Sequence, residues 1–287
     1  MMRQEPALHT LLRKQTNVPV PAILVSDFSH SEIDRDYLLM EQMPGTPLSG
    51  QTRLTPATLD DILREVGHCL RQVHALTSDH YGYVGEHRPM EPQPDWASAF
   101  QVIWNMLLDD VEHCGGYSAT EAASMRRLAD RHIKVFDRPV AASLMQMDVW
   151  AENILADDHG RLTGLIDWDR ALWGDPEIEF AVLDYCGISE PAFWKGYGAV
   201  REQNSEAEIR RKFYLLYEIQ KYIVIRRVRN EDPQRADAYR RQSLRLAWMP
   251  TKKKKPNRTA AASPGFRVNS RIRRSYSGLS MHRFPPR

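Results

Sequence analysis

Residues 146–180, QMDVWAENILADDHGRLTGLIDWDRALWGDPEIEF, constrain the fold of this chain more than any other stretch. Two short apolar runs, at 154–156 and 162–166, flank Asp157-Asp158-His159-Gly160, whose composition suits a hairpin turn. Asp148 and Asn153 stand on the segment before the hairpin, and Asp167 stands at its end. Asp175-Pro176-Glu177 then opens a helix: Asp is a good cap, Pro suits the first helical position, and Glu complements the positive helix end. A strand, a polar loop, a hairpin and a capped helix are therefore expected in quick succession, with acids and an amide at the joints.

The rest of the chain supplies a frame. Residues 3–14 read as a helix with Leu8, Leu11 and Leu12 on one side, stopped by Asn17 and by Pro19-Val20-Pro21. Strands are expected at 22–25 and 36–41, around the polar turn DFSHSEIDR. MPGTPLSG interrupts regularity, and a lobe boundary is expected there. Thr55-Pro56 starts a helix to about Leu76, with Leu59, Ile62, Leu63, Val66, Leu70, Val73 and Leu76 at helical spacing. Further helices are expected over about 96–112, 119–136 and 206–229, and a strand over 140–145. No internal repeat is visible.

Composition limits the function classes. The 287 residues are 42% hydrophobic, enough for a sizeable core. No run approaches the length of a membrane span, and MMRQEPALHT has no signal-like apolar region, so a cytoplasmic protein is expected. Three scattered cysteines, Cys69, Cys114 and Cys186, fit reduced thiols. Residues 252–287 hold eleven basic and no acidic residues, leaving 28 basic against 37 acidic residues in the body, a balance of −9. The tail reads as disordered, and an acidic body argues against a nucleic-acid substrate. Lys252–Lys255 before Pro256 also fits a nuclear-import or nucleic-acid patch, and the abrupt change of composition fits a non-native extension; a solvated tail is the blander account.

The residue types at 148, 153 and 167 suit phosphoryl transfer. That reaction needs a hydroxyl and a phosphate held in line and the shifting charge neutralised. One carboxylate must take or orient the hydroxyl proton, another must hold magnesium, and a neutral amide oxygen can complete the metal shell without adding repulsion. Asp148 suits the first task, Asp167 the second and Asn153 the third. Any one of these residues alone is common by chance. Together, in the order strand, loop, strand, hairpin and acid, they are specific.

The motifs MDVWAENIL, LIDWDRALW and GDPEIEFA resemble those of the aminoglycoside phosphotransferase family of small-molecule kinases, as do YLLMEQMPGTPL and the helix end VHAL, over roughly residues 5–200. The resemblance implies an α+β, protein-kinase-like fold with a mostly helical C-lobe. It implies an ATP- and Mg2+-dependent phosphotransferase with an alcohol group as acceptor, the partners being nucleotide and a small hydroxylated molecule such as an aminoglycoside, amino alcohol or sugar. By it, Asp148 is the catalytic base, Asn153 and Asp167 are metal ligands, backbone groups of Glu41 and Met43 bind adenine, and Glu5 matches the acid that pairs with a nucleotide-binding lysine. Asp169 is either an electrostatic contributor or a surface residue. Asp175 reads as a helix cap, His74 as a buried structural histidine, and Trp150, Trp168 and Trp173 as packing residues.

Two departures from the family pattern stand out. Gln146 replaces the histidine that opens the catalytic loop, so weaker bracing is expected there. Only MMRQ precedes Glu5, where the family has a glycine-rich hairpin and a lysine strand. The expected organisation is therefore a truncated N-lobe and hinge over 1–43, a C-lobe over 44–250 with catalytic loop and acceptor site, and the basic tail over 251–287. Losing a preorganised charge-stabilising donor costs on the order of 10²–10³ in rate, so impaired transfer is expected, and a catalytically incompetent kinase-like remnant or binding protein is the alternative.

Overall fold

The structure is a computed structural model that describes residues 2–85 and 89–249; the expected basic tail lies outside these residues. Helix α1 (Glu5–Gln15) follows a 3-10 turn and buries Leu8 and Leu12. Strands β1 (Ile23–Asp27) and β2 (Tyr37–Met40) pair antiparallel. The segment read as a break, MPGTPLSG, holds the short strand β3 (Thr46–Pro47) and a 3-10 turn over Leu48–Gly50.

Helices α2 (Pro56–His74), α3 (Trp96–His113), α4 (Ala119–His132) and α7 (Ser205–Val224) each begin at a side-chain cap. Thr55, Asp95, Ser118 and Asn204 each accept from a backbone N–H that has no partner inside its helix. Ser118 and Glu121 complete a reciprocal capping box. The expected helix over 119–136 ends at His132 and continues as a 3-10 turn, and the one expected over 206–229 ends at Val224 and widens into a π turn, Ile225–Arg229. Helices α5 (Glu177–Cys186), α6 (Pro191–Tyr197) and α8 (Pro233–Trp248) complete the helical part.

The buried residues form two clusters. One gathers α3, α4 and α7 around an aromatic set in which Phe100 stacks on Phe136 with ring centroids 4.4 Å apart. The other gathers α1, α2 and α6 with Trp168. Helices α2 and α6 meet backbone to backbone: a Cβ on Gly67 would lie 2.3 Å from the Phe193 carbonyl oxygen, and one on Gly196 would lie 1.9 Å from that of Arg64. Only glycine permits that approach.

The remaining strands are β4 (Thr77–Ser78), β5 (Gly82–Tyr83), β6 (Ala142–Met145), β7 (Ile154–Ala156), β8 (Leu162–Leu165) and β9 (Leu172–Gly174). They form a three-stranded sheet in the order β3-β7-β8 and a four-stranded sheet in the order β4-β6-β9-β5. This topology positions the site. The chain crosses from the second sheet to the first between β6 and β7, and returns between β8 and β9. Because β7 pairs with β8 and β6 pairs with β9, the two crossings, 146–153 and 166–171, must run side by side. Asp148 and Asn153 lie on one crossing and Asp167 on the other.

The fold is α+β, with small sheets and a mostly helical C-terminal part. No helix among the described residues is long and apolar enough to cross a membrane.

Candidate active site

The first crossing is held at both ends and in the middle. Met147 and Val149 are buried, the first in the α3/α4/α7 cluster and the second in the α1/α2/α6 cluster. Asp148, between them, is anchored by both neighbours and keeps its own side chain partly exposed. Met147 adopts a left-handed backbone conformation, φ 67°, a conformation that costs a non-glycine residue on the order of 1–3 kcal/mol. Its N–H donates to Glu179 Oε1 at 2.7 Å. Glu179 is fully buried and bonds His74 Nε2 through its other oxygen at 2.6 Å, while His74 Nδ1 meets the Tyr197 hydroxyl at 2.9 Å. His74 is thus a buried member of the support.

Gln146 ties the two crossings together. It is fully buried, and its side-chain amide donates to the carbonyls of Ile166 and Asp167, the latter at 2.9 Å. Asp167 also has positive φ, 65°. The strained residue of each crossing is therefore fixed by a hydrogen bond to a buried side chain.

The three residues singled out for chemistry come together. Asn153 Nδ2 donates to the Asp148 carbonyl at 2.9 Å and to Asp148 Oδ2 at 3.2 Å. The Asn153 carbonyl accepts from Ile166 N–H at 3.1 Å, which brings Asp167 alongside. Asp167 opens onto a concave cavity, where surrounding atoms displace much of its water. That desolvation, together with the Asp169 and Asp148 carboxylates, a hydrogen bond to Asp169 and the charge of Glu5, pushes Asp167 up to about 7.

Such crowding of carboxylates fits a divalent cation, whose charge relieves the mutual repulsion. With the Asn153 nitrogen committed to Asp148, its Oδ1 is the atom suited to ligation. Among the described residues no group of three or more His, Cys, Asp or Glu could hold a metal by itself. A magnesium site of one or two protein oxygens, completed by water and phosphate, needs no such group.

Glu5, Glu41, Met43 and Asp167 line one cavity of about 330 Å³, with His9 and Met40. Glu5 is buried, and its carboxylate lies 3.4 Å from His9 Nε2; His9 Nδ1 meets the Pro21 carbonyl at 2.8 Å. Glu41 is oriented by β1: its N–H donates to the Ala22 carbonyl at 2.8 Å, and its carboxylate accepts from Ala22 N–H at 3.1 Å. All six residues named from the sequence thus fall on the two crossings and this adjoining cavity.

Arg170 was not foreseen. Its Nη1 lies 3.2 Å from Asp148 Oδ1, and its Nε lies 3.9 Å from Asp169 Oδ1. Burial alone would lower the guanidinium, but Asp148 and Asp169 raise it overall, so it remains charged. No local pattern could have revealed it, because its partner is on the other crossing. Arg170 also lines a second, larger cavity of about 470 Å³ together with Met147, Leu172, Leu107, Tyr217 and Lys221. This is the space between the two crossings and helices α3 and α7. Asp175 faces away from both cavities: it is buried, accepts two hydrogen bonds from Arg138 at 2.9 and 2.8 Å, and caps α5 through Glu177 N–H at 3.0 Å.

A family model described as the phosphotransferase enzyme family matches residues 2–211. Hygromycin-B 4-O-kinase of Escherichia coli is 25% identical over 201 residues, which are 66% of this chain and 51% of that protein. The chain therefore spans about half the length of the curated relative it matches. A Haemophilus somnus 129PT structure, provisionally assigned as a fructosamine-3-kinase, superposes with a TM-score of 0.65 at 17% identity, covering 85% of this chain and 79% of that one. Aminoglycoside phosphotransferase APH(4)-Ia, solved as a ternary complex with AMP-PNP and hygromycin B, superposes with a TM-score of 0.56 at 21% identity, covering 83% and 81%. These likenesses show a shared kinase-like fold.

Proposed function

This chain belongs to the phosphotransferase enzyme family, and from that premise we propose that it transfers the terminal phosphoryl group of ATP, with Mg2+, to a hydroxyl of a small molecule. The observation that carries the reading is the convergence of Asp148, Asn153 and Asp167 beside a cavity that Asp167 lines together with Glu5, Glu41 and Met43. The nucleotide occupies the 330 Å³ cavity, its adenine edge against backbone groups of Glu41 and Met43. The acceptor occupies the 470 Å³ cavity, in keeping with its place beside the loop that bears Asp148. We assign residues up to 43 to the N-lobe and hinge, and residues from 44 to the C-lobe, which carries the catalytic loop and the acceptor site.

Asp148 receives the proton of the attacking hydroxyl. Its carboxylate is oriented from both sides, by Asn153 at one oxygen and Arg170 at the other. Asn153 Oδ1 and the Asp167 carboxylate would hold the metal. Magnesium, when bound, would supply positive charge that offsets the negative charge moving to the leaving group. Buried support for both crossings means that little reorganisation is needed at the moment of transfer, which is where electrostatic catalysis gains most.

The test is a thermal-shift titration of the chain with ATP, with and without Mg2+, followed by ATP consumption against a panel of hydroxylated acceptors. The expected result is a nucleotide shift that needs Mg2+ and disappears in Asp167→Ala. No shift at millimolar nucleotide would favour the catalytically silent alternative.

A further inference from the structure

The 470 Å³ cavity proposed for the acceptor has more basic than acidic side chains in its lining. Among the described residues that line it, Arg170, Lys221 and Arg229 are basic and Asp110 is the single acid; the remainder are apolar or aromatic. Two of the cations stand at the end nearest the chemistry. Arg170 has Nη1 on Asp148 at 3.2 Å. Lys221, on α7, has Nζ 2.5 Å from Glu218 Oε2, and Glu218 is buried behind it rather than lining the cavity.

Asp148 and Glu218, the carboxylates beside these two cations, are thus already paired. A polyamine acceptor entering here would set its ammonium groups against a guanidinium and an ammonium, with one lining carboxylate to receive them. Like charges brought together in a partly desolvated site repel, even where each protein cation already has a carboxylate beside it. An anionic group would meet the opposite situation: each of the two cations retains donors beyond its intramolecular bond, since a guanidinium carries five and an ammonium three. The apolar wall formed by Met106, Leu107, Leu172, Val224 and Ile225 suits a hydrocarbon or aromatic body.

Resting on the phosphotransfer reading above, we propose that the acceptor is an amphipathic hydroxyl compound carrying an anionic group, a carboxylate or phosphate, held between Arg170 and Lys221. Arg170 then has two tasks. It orients Asp148, and it fixes the acceptor's anion at a set distance from that base, so that the hydroxyl to be phosphorylated is selected by its position relative to the charge.

Isothermal titration of the full chain with three probes tests this: 8-hydroxyoctanoate, its uncharged counterpart 1,8-octanediol, and the polycation hygromycin B, each with AMP-PNP and Mg2+ present. The hydroxy acid is expected to bind about tenfold more tightly than the diol, as charge-assisted hydrogen bonds imply, and hygromycin B more weakly than either. Lys221→Gln should remove that advantage while diol affinity stays the same, which also reports an intact cavity. Because Lys221→Gln leaves Glu218 buried without its cation, the pair Lys221→Met with Glu218→Gln serves as a second variant with the same expected loss. Hygromycin B binding as tightly as the hydroxy acid, no hydroxy-acid binding, or an advantage untouched in both variants would overturn the proposal. The two readings fail differently. A chain that consumes no ATP with any acceptor defeats phosphotransfer, whereas one that consumes ATP with hygromycin B in preference defeats only the anionic class.

Discussion

Asp148 and Asp167 are both aspartates near one crossing pair, yet their surroundings differ, and so do the tasks proposed for them. Asp148 touches a guanidinium and an amide; Asp167 faces carboxylates. Asp148→Asn keeps the shape and removes proton acceptance, so turnover should fall by about 10²–10⁴ while the circular-dichroism melting curve stays in place; equal turnover would remove Asp148 from the role of base. For Asp167 the sign of the pH effect follows from its raised value, about 7 against an ordinary 3.8. Between those values the folded chain retains a proton that the unfolded chain has released. Its contribution to stability is therefore fully present below about 4 and is lost as pH rises through about 7. A divalent cation must displace the same proton, so Mg2+ affinity should rise with pH and level off above about 7. Titration calorimetry at pH 6 in buffers of different ionisation heat should show proton release, absent in Asp167→Asn; identical heats for wild type and variant would contradict it. The residue types at 148, 153 and 167 were legible in the sequence because the chemistry restricts them to acids and an amide. Arg170 was not, since what gives it meaning is a neighbour 22 positions away across a sheet junction.

At the scale of elements, the supports of the site are as consequential as the site. Glu179, on α5, receives the Met147 N–H and His74 together. Glu179→Ala leaves both buried groups unpaired and should cost about 3–5 kcal/mol, measured by urea unfolding; a loss under about 1 kcal/mol would mean the network is not coupled to the fold. The α2–α6 crossing predicts a separate effect. Gly67→Ala forces a methyl toward the Phe193 carbonyl and should destabilise by about 1–3 kcal/mol through overpacking, with an unaltered response to nucleotide. Long helices were readable from periodicity and from caps such as Thr55 and Ser118. The two- and three-residue strands β3, β4, β5 and β9 were not, because a run that short carries no period; only pairing makes them strands, β3 with β7, β4 and β9 with β6, and β5 with β9. Helix α8, with few buried positions, gives a weak pattern for the same kind of reason.

For the molecule as a whole, the joint prediction is that nucleotide and metal stabilise the same pair of crossings. At about a hundred times its dissociation constant, Mg·ATP should contribute about 2.7 kcal/mol to stability, a rise of several degrees in melting temperature for a chain of this size. ATP without Mg2+ should give clearly less, and an equal shift would disconnect the acid cluster from the nucleotide. What the sequence determined by itself was local: which segments are amphipathic, where they are capped, and which side chains could do chemistry, all set by residue type and short-range spacing. The tertiary structure alone decided that the two crossings lie side by side, that Gln146 and Glu179 hold their strained residues, and that Arg170 and Lys221 line one cavity. Those are relations between residues far apart in the chain. They exist only because β6 pairs with β9 while β7 pairs with β8, and a pairing between distant strands leaves no periodic trace in either one.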